Sequence, residues 1–344
     1  MSAQLVETFT RTLGRRCLAT IAVGGVATAL GLPRAGTAAR KDRKRTVCLN
    51  GKTKRVSKSR ARRLARRGAT RGACTCLRAS QDLRAAILAA APGSSLTLCP
   101  GTWPLDEESE FAPAVTISKA LTLIGAGSSR TVIEGDRDRA SGFSFLTGIR
   151  IAPGAVVRLE ALSVRNYCRT GIVNEGDLTL VGVAILANGC PDQGESGIDN
   201  YGMLTLQDCT VAHNGSAHSG GGVANAGTAT VIRSSVTGNG VAGPSNPDGG
   251  GIENQGEMTL IDSTVTDNHA GNGGGGGIAN SGTLVLVQSH VSGNGAGWTD
   301  MFGNQLPGGI FNSGSVELTD GSSVTDNSPT NCLGSPTPVA GCLD

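Results

Sequence analysis

Aromatic side chains are scarce in this chain: Phe, Trp and Tyr together number 10 in 344 residues. That disfavours a globule anchored on large buried rings. Long apolar runs are scarce too. The stretch from Leu18 to Leu32 is broken by glycine and is short for a bilayer span, and no other segment is a membrane-crossing candidate. The glycine runs lack the G-K-[ST] ending and following helix of a phosphate loop. His213, His218, His269 and His290 fall in or near turns, none at ligand spacing with Cys or acid, so no metal site is expected. What the chain does hold is glycine, 52 residues of it, arranged with a period.

From Gly171 to Asn327 one phrase is written six times: an aliphatic residue, x-N-x-G, an alternating apolar strand, and a second short strand closing on Asn. The first Asn of each copy is Asn174, Asn200, Asn225, Asn254, Asn280 and Asn312; the second is Asn188, Asn214, Asn239, Asn268, Asn294 and Asn327. The two lie 14 residues apart in five copies and 15 in the last, whereas the interval to the next copy varies from 11 to 18. Such a period points to a stacked array. Leu178-Thr179-Leu180 and Leu204-Thr205-Leu206 alternate with strand period, and glycine runs such as Gly220-Gly221-Gly222 argue against helices between them. Two or three short strands per unit, stacked at one strand spacing, make a parallel β-helix, with Asn columns able to form amide ladders at its corners. A propeller blade of about 40 residues and four strands does not fit the unit. The expected fold is an all-β, right-handed parallel β-helix.

Four segments are expected. Residues 1–39 read as an export signal, with Arg15-Arg16 before the Leu18–Leu32 run and Thr37-Ala38-Ala39 as a cleavage site. They resemble a twin-arginine signal, with Gly14 where Ser or Thr is usual. The mature protein is thus expected outside the cell, without a membrane span. Residues 40–77 form a basic, Cys-bounded arm: 15 Lys or Arg fall between Arg40 and Arg71 against one acid, a net of +14. Residues 75–344 hold 11 basic and 25 acidic residues, a net of −14. The arm could hold an anionic polymer, lie solvated or lie on the acidic solenoid, and without interleaved aromatics it is not expected to bind nucleic acid specifically. Its Cys48-Leu49-Asn50-Gly51-Lys52-Thr53 to Gly72-Ala73-Cys74 frame resembles a short module of secreted bacterial proteins. The solenoid occupies 78–334, opened by a short helix with Ser80 as N-cap, running through Ala91 with Leu83, Ile87 and Leu88 on one side. Residues 335–344 are a C-terminal tail.

The cysteines suit export. Cys168 and Cys190 each lie two residues after an Asn, at 166 and 188, so neighbouring coils are expected to bring them within disulfide reach. Cys332 and Cys342 would tie down the tail. Cys48, Cys74, Cys76 and Cys99 would make two more bonds, most simply 48–74 and 76–99. Cys209 is left as a buried free thiol in the column of Ser234, Ser263 and Ser289. Ile151 to Asn166 reads as a degenerate coil, with Pro153-Gly154 in place of N-x-G.

The run Leu83-Arg84-Ala85-Ala86-Ile87, Pro92-Gly93, Leu96-Thr97-Leu98, Pro100-Gly101-Thr102 and Leu121-Thr122-Leu123-Ile124-Gly125 resembles the entry of pectin-lyase-like β-helix proteins. In that family the helix plugs the first coil. The resemblance implies action on polysaccharide, by lyases that use Ca²⁺-binding carboxylates with an Arg or Lys base, or by hydrolases with two or three Asp close together. The sequence assigns no catalytic residue. Asp208, Arg233, Asp262 and Gln288 share one outward column of mixed sign and read as a surface charge ladder. Asp199 and Glu253 share another, two coils apart across Ala224, roughly 10 Å and without a third acid. The hydrolase motifs N-T-D, D-D, G-H-G and R-I-K are absent.

The phrase Gly249-Gly250-Gly251-Ile252 with Val265-Thr266-Asp267-Asn268 resembles the repeats of bacterial polymorphic outer-membrane proteins, which are associated with adhesion. Their membrane β-barrel has no counterpart in the residues up to Asp344, so attachment is expected to be non-covalent. The expected function is a non-catalytic binding, adhesive or structural role towards polysaccharide or cell-envelope polymer. The alternative is a polysaccharide lyase, needing Ca²⁺, or a glycoside hydrolase; otherwise no cofactor is expected. Trp298, Met301 and Phe302, in a long turn, are the expected ligand contacts.

Overall fold

A computed structural model describes residues 44–49, 52–66, 70–71, 76–105, 112–135, 147–190, 195–218, 220–242, 249–271, 273–297, 303, 305–319 and 321–344. The expected export signal, Cys74, Trp298, Met301 and Phe302 lie outside the described residues, as does the side chain of Cys48.

The chain is a parallel β-helix. A representative coil has three strands: Ile172–Asn174 on a face named here for its Asn, Asp177–Val181 on the long face, and Ala184–Leu186 on the valine face. Stacked, these make parallel sheets of eight, nine and nine strands, and two-residue strands from Gly215–Ser216 to Gly295–Ala296 add a fourth sheet of four. Alternation sets which side chains point in. On the Asn face the column from Val115 through Ile172 and Ile252 to Ile310 is 2% exposed or less throughout. The long face sends in Leu178 and Leu180 of one coil over Leu204 and Leu206 of the next, while Thr179 and Thr205 point out. The valine face contributes Ile185, Val211, Val236, Val265 and Val291. Each such aliphatic side chain stabilises the fold by about 1.5–3 kcal/mol on burial, which explains how so large a core forms from so few aromatics.

Both Asn columns are buried ladders. On the Asn face, Nδ2 of Asn174 donates to Oδ1 of Asn200 at 2.7 Å, and the bond repeats down to Asn312 at 2.7–2.8 Å. In the second column Asn188, Asn214, Asn239, Asn268, Asn294 and Asn327 are joined in the same way at 2.9–3.0 Å. Here each Oδ1 also accepts the backbone N–H of the preceding Asn, as from Asn188 to Asn214 at 3.0 Å. A parallel Ser ladder runs Ser234, Ser263, Ser289, Ser322, and Cys209 heads it. Its thiol is buried and free, and burial pushes its pKa up.

Three sequence expectations shift. The degenerate coil closes one residue later than Asn166 implied: Val164 pairs with Ile185, and the N–H that donates to Asn188 Oδ1 belongs to Tyr167. Tyr167 is fully buried, with its hydroxyl on Leu105 O at 3.1 Å, while Asn166 turns out to Glu134. Cys168 and Cys190 still meet, as a disulfide with Cα atoms 4.9 Å apart, despite the stagger. The entry helix is Leu83–Ala89 with Asp82, not Ser80, as N-cap, because residues 78–81 already close a turn from Arg78 O to Gln81 N. Leu83 and Ile87 enter the main core; Leu88 is exposed.

The tail is also part of the solenoid. Ser335 Oγ accepts from Asn312 N, Asn312 Nδ2 donates to Thr337 O, and Val339 with the Cys332–Cys342 disulfide packs on the last coil's core. Near the other end, Cys76 and Cys99 are bonded. The basic segment is folded rather than an extended arm. Strands Arg45–Leu49, Lys52–Val56 and Thr70–Arg71 form an antiparallel sheet, and helix Lys58–Ala65, capped by Ser57, covers it. Val47, Val56, Ala61 and Leu64 make a small core of their own.

Candidate functional site

The outward column of the Asn face runs Thr116, Arg150, Val173, Asp199, Ala224, Glu253, Ala279, Phe311. At Arg150 to Asp199 it is overlooked by the turns that lead into the face. In the coils from Gly221 onward that lead-in position is glycine, at Gly221, Gly250 and Gly276. Two earlier coils read Arg169-Thr170-Gly171 and Glu195-Ser196-Gly197 instead. Side chains at those positions wall a cleft of about 230 Å³ lined by Pro113, Thr147, Arg150, Arg169, Val173, Glu175, Glu195, Asp199 and Tyr201.

The charges inside are paired. Arg150 holds Glu175 with Nε and Nη2 on Oε2, at 2.9 and 2.7 Å. Arg169 holds Glu195, with Nε at 2.7 Å from Oε1, and that hydrogen bond raises the guanidinium pKa. Thr170 Oγ1 lies 2.8 Å from Asp199 Oδ2 and 3.3 Å from Glu195 Oε2, so one hydroxyl serves two carboxyls. Asp199 is 4% exposed. Burial raises its pKa to about 7, opposed by Thr170 and Ser196 and reinforced by Glu195. The Ser196 hydroxyl is buried beside it in geometry too poor for a full hydrogen bond. Asp199, with Glu195 beside it across the Thr170 hydroxyl, is therefore a carboxyl that takes up a proton near neutrality, the type of group suited to acid–base work when a substrate reaches it.

This has a stability consequence. A carboxyl whose folded pKa is raised helps the fold fully below its unfolded value near 4. The benefit falls as pH climbs and is gone once pH passes about 7. Asp199→Asn should keep an acceptor for Thr170 and remove the titration. The melting temperature of the parent is expected to fall between pH 5 and 7.5, and that of Asp199→Asn to stay flatter and higher at pH 8. Equal slopes for the two proteins would mean that Asp199 titrates normally.

The other candidate acids lie elsewhere. Glu253 is two coils from Asp199 on the same column and accepts from Gln255 Nε2 at 2.8 Å. Asp208 and Asp262 sit at the corner between the long and valine faces, in left-handed conformation with φ of 54° and 49°. Arg233 between them chelates Asp208 at 2.8 and 3.0 Å and lowers its pKa. Arg150, Arg169, Thr170, Glu175, Glu195 and Tyr201 were not singled out from sequence. The usable signal was the departure from glycine at 169–170 and 195–196. A second cleft, of about 340 Å³, lies over the fourth sheet between His213 and His269. The His213 ring lies over Gly238 and the His269 ring over Gly295. Among the described residues no group of His, Cys, Asp and Glu could hold a metal ion, and no helix is long and apolar enough to cross a membrane.

No protein-family model matches the chain, and no curated protein matches it. Among solved structures, pectate lyase Pel9A is similar, at 16% identity and a TM-score of 0.42. The match covers 71% of this chain and 58% of that one.

Proposed function

We propose that the solenoid is an extracellular, non-catalytic carbohydrate-binding module whose cleft seats a neutral glycan. The observation that carries this is the lip of the cleft. Tyr201 is 62% exposed there, and Met203 and Val156, at 60% and 56%, stand on the adjoining outward column. An aromatic face beside fixed hydrogen-bonding groups is what a sugar needs, since the ring stacks while its hydroxyls bond. A net charge of −14 over residues 75–344 disfavours a polyanion in the same place. The three disulfides among the described residues accord with an oxidising, extracellular setting.

The paired charges argue for binding over cleavage. A lyase base must be neutral to take a proton, whereas the Glu195 hydrogen bond keeps Arg169 charged. A hydrolase needs its carboxyls about 5 Å apart or more, on opposite sides of the glycosidic bond; Asp199 and Glu195 instead meet on one hydroxyl. The second reading, acid–base hydrolysis, rests on the near-neutral pKa of Asp199.

Affinity electrophoresis through neutral polysaccharides such as glucan, xylan and mannan tests the proposal. At least one should retard the protein, and Tyr201→Ala should weaken that retention about 10-fold, a stacking contribution of about 1.4 kcal/mol, with melting unchanged. Retention that survives Tyr201→Ala would remove the cleft from the account.

A further inference from the structure

The surface of the basic module points to a second ligand. From Arg43 to Gln81 the sequence contains no Asp or Glu. The folded part turns its cations outward: Lys54, Arg55, Lys58, Arg60, Arg62, Arg63 and Arg66 are all exposed. Among the described residues none of them has an acidic partner. This differs from the solenoid, where Arg150, Arg158, Arg165, Arg169 and Arg233 are each bound to a carboxylate. Helix Lys58–Ala65 spends two of its three apolar residues, Ala61 and Leu64, on the module's own core. Its free face is left to Lys58, Arg62 and Arg66, each one turn or about 6 Å from the next.

Packing seven cations without carboxylate partners on so small a fold costs self-repulsion that a bound anion relieves. We propose that this module is a docking surface for a linear acidic polysaccharide, a chain with a regularly repeated anionic group. The lack of any Phe, Trp or Tyr between Arg40 and Leu77 leaves nothing to stack on a nucleobase. The exposed side of the helix has no apolar side chain larger than that of Ala65 to enter a bilayer. The disulfides place the protein where acidic glycans meet it. Arg dominates Lys on the helix, which favours bidentate gripping of planar or phosphate-like anions. The −14 solenoid repels the same polymer, so attachment is confined to the module.

The probe is polygalacturonate immobilised on a sensor surface, with the full mature chain in solution. Binding should weaken steeply with added salt, since each contact releases counterions. The triple variant R62Q/R63Q/R66Q alters only exposed side chains and should keep the parent melting curve. It should lose about 100-fold in affinity and show a shallower salt slope. Tyr201→Ala should bind this polymer as the parent does, which separates the module from the solenoid cleft. Unchanged affinity in the triple variant would overturn the proposal. Equal or tighter binding of duplex DNA, or of vesicles rich in anionic lipid, at matched charge and salt would overturn it too, in favour of those partners.

Discussion

Replacing Asn239 with Ala should cost the solenoid about 3–5 kcal/mol. Asn239 is 2% exposed and makes four bonds through its amide. Nδ2 donates to Asn268 Oδ1 at 2.9 Å and to Val211 O at 3.0 Å; Oδ1 accepts from Asn214 N at 3.0 Å and Asn214 Nδ2 at 2.9 Å. Truncation leaves one N–H of the Asn214 amide, whose other partner is Ile185 O, and the Asn214 backbone N–H without acceptors, at roughly 1–3 kcal/mol per stranded group. Water cannot easily replace the lost group, because Gly222 is packed where a Cβ would come within 3.0 Å of the Asn239 amide. Urea titration should show the loss directly, with Thr230→Ala on the outward face as a control within about 0.5 kcal/mol. A loss below about 1 kcal/mol would mean that the ladder follows from coil stacking and does not hold it.

Gly256→Ala should be nearly as damaging, for a reason that no side chain reveals. A Cβ at Gly256 would stand 2.0 Å from the carbonyl oxygen of Gly227 in the coil below. The same collision recurs at Gly202, Gly227, Gly282 and Gly314, at 2.1–2.2 Å from the previous glycine carbonyl. The glycine of each N-x-G phrase is therefore required by the stacking distance of the coils, since strands about 4.8 Å apart leave no room at this corner for a methyl group. Relief would need two coils to part, and a cost of about 3 kcal/mol or more is expected. Gly154→Ala is the informative comparison. Gly154 has φ of +76° but nothing within 4 Å of its missing Cβ, so only the backbone strain of about 1 kcal/mol applies. If the two variants lost the same stability, crowding would not be what keeps glycine at position 256.

The repeat was legible because three separate demands fall on fixed positions: aliphatic in, Asn at the corners, Gly where backbones touch. Spacing alone therefore exposed the strand stacking. What spacing missed was local offset. Asn166 mimicked a ladder residue, but one residue more in that coil moved Tyr167 into its place. The extra residue between Asn312 and Asn327 is absorbed in the turn after Leu318, where Ser322 takes up the Ser ladder. The fold of the basic segment was hidden by its charge, because four buried apolar residues among a dozen cations give little period to detect.

The cleft was half legible. Asp199 stood out by sitting beside a ladder Asn, and pairing it with Glu253 followed the column. The partners it actually has come from the turns, at Thr170 and Glu195. Turn lengths vary from coil to coil, so nothing in the repeat aligned those residues with Asp199. Their common trait, a polar side chain where later coils keep glycine, is visible only once the coils are set in register.

The central claim is that this cleft holds a glycan and leaves it intact. The direct measurement incubates the mature protein with the neutral polysaccharides that retain it and with polygalacturonate, with and without Ca²⁺. Bound fraction and released reducing ends are followed over the same hours. The account predicts retention with no product, and a bound fraction for Asp199→Asn equal to that of the parent. Product released by the parent and lost in both Asp199→Asn and Glu195→Gln would contradict it, and would make Asp199 and its neighbour Glu195 catalytic.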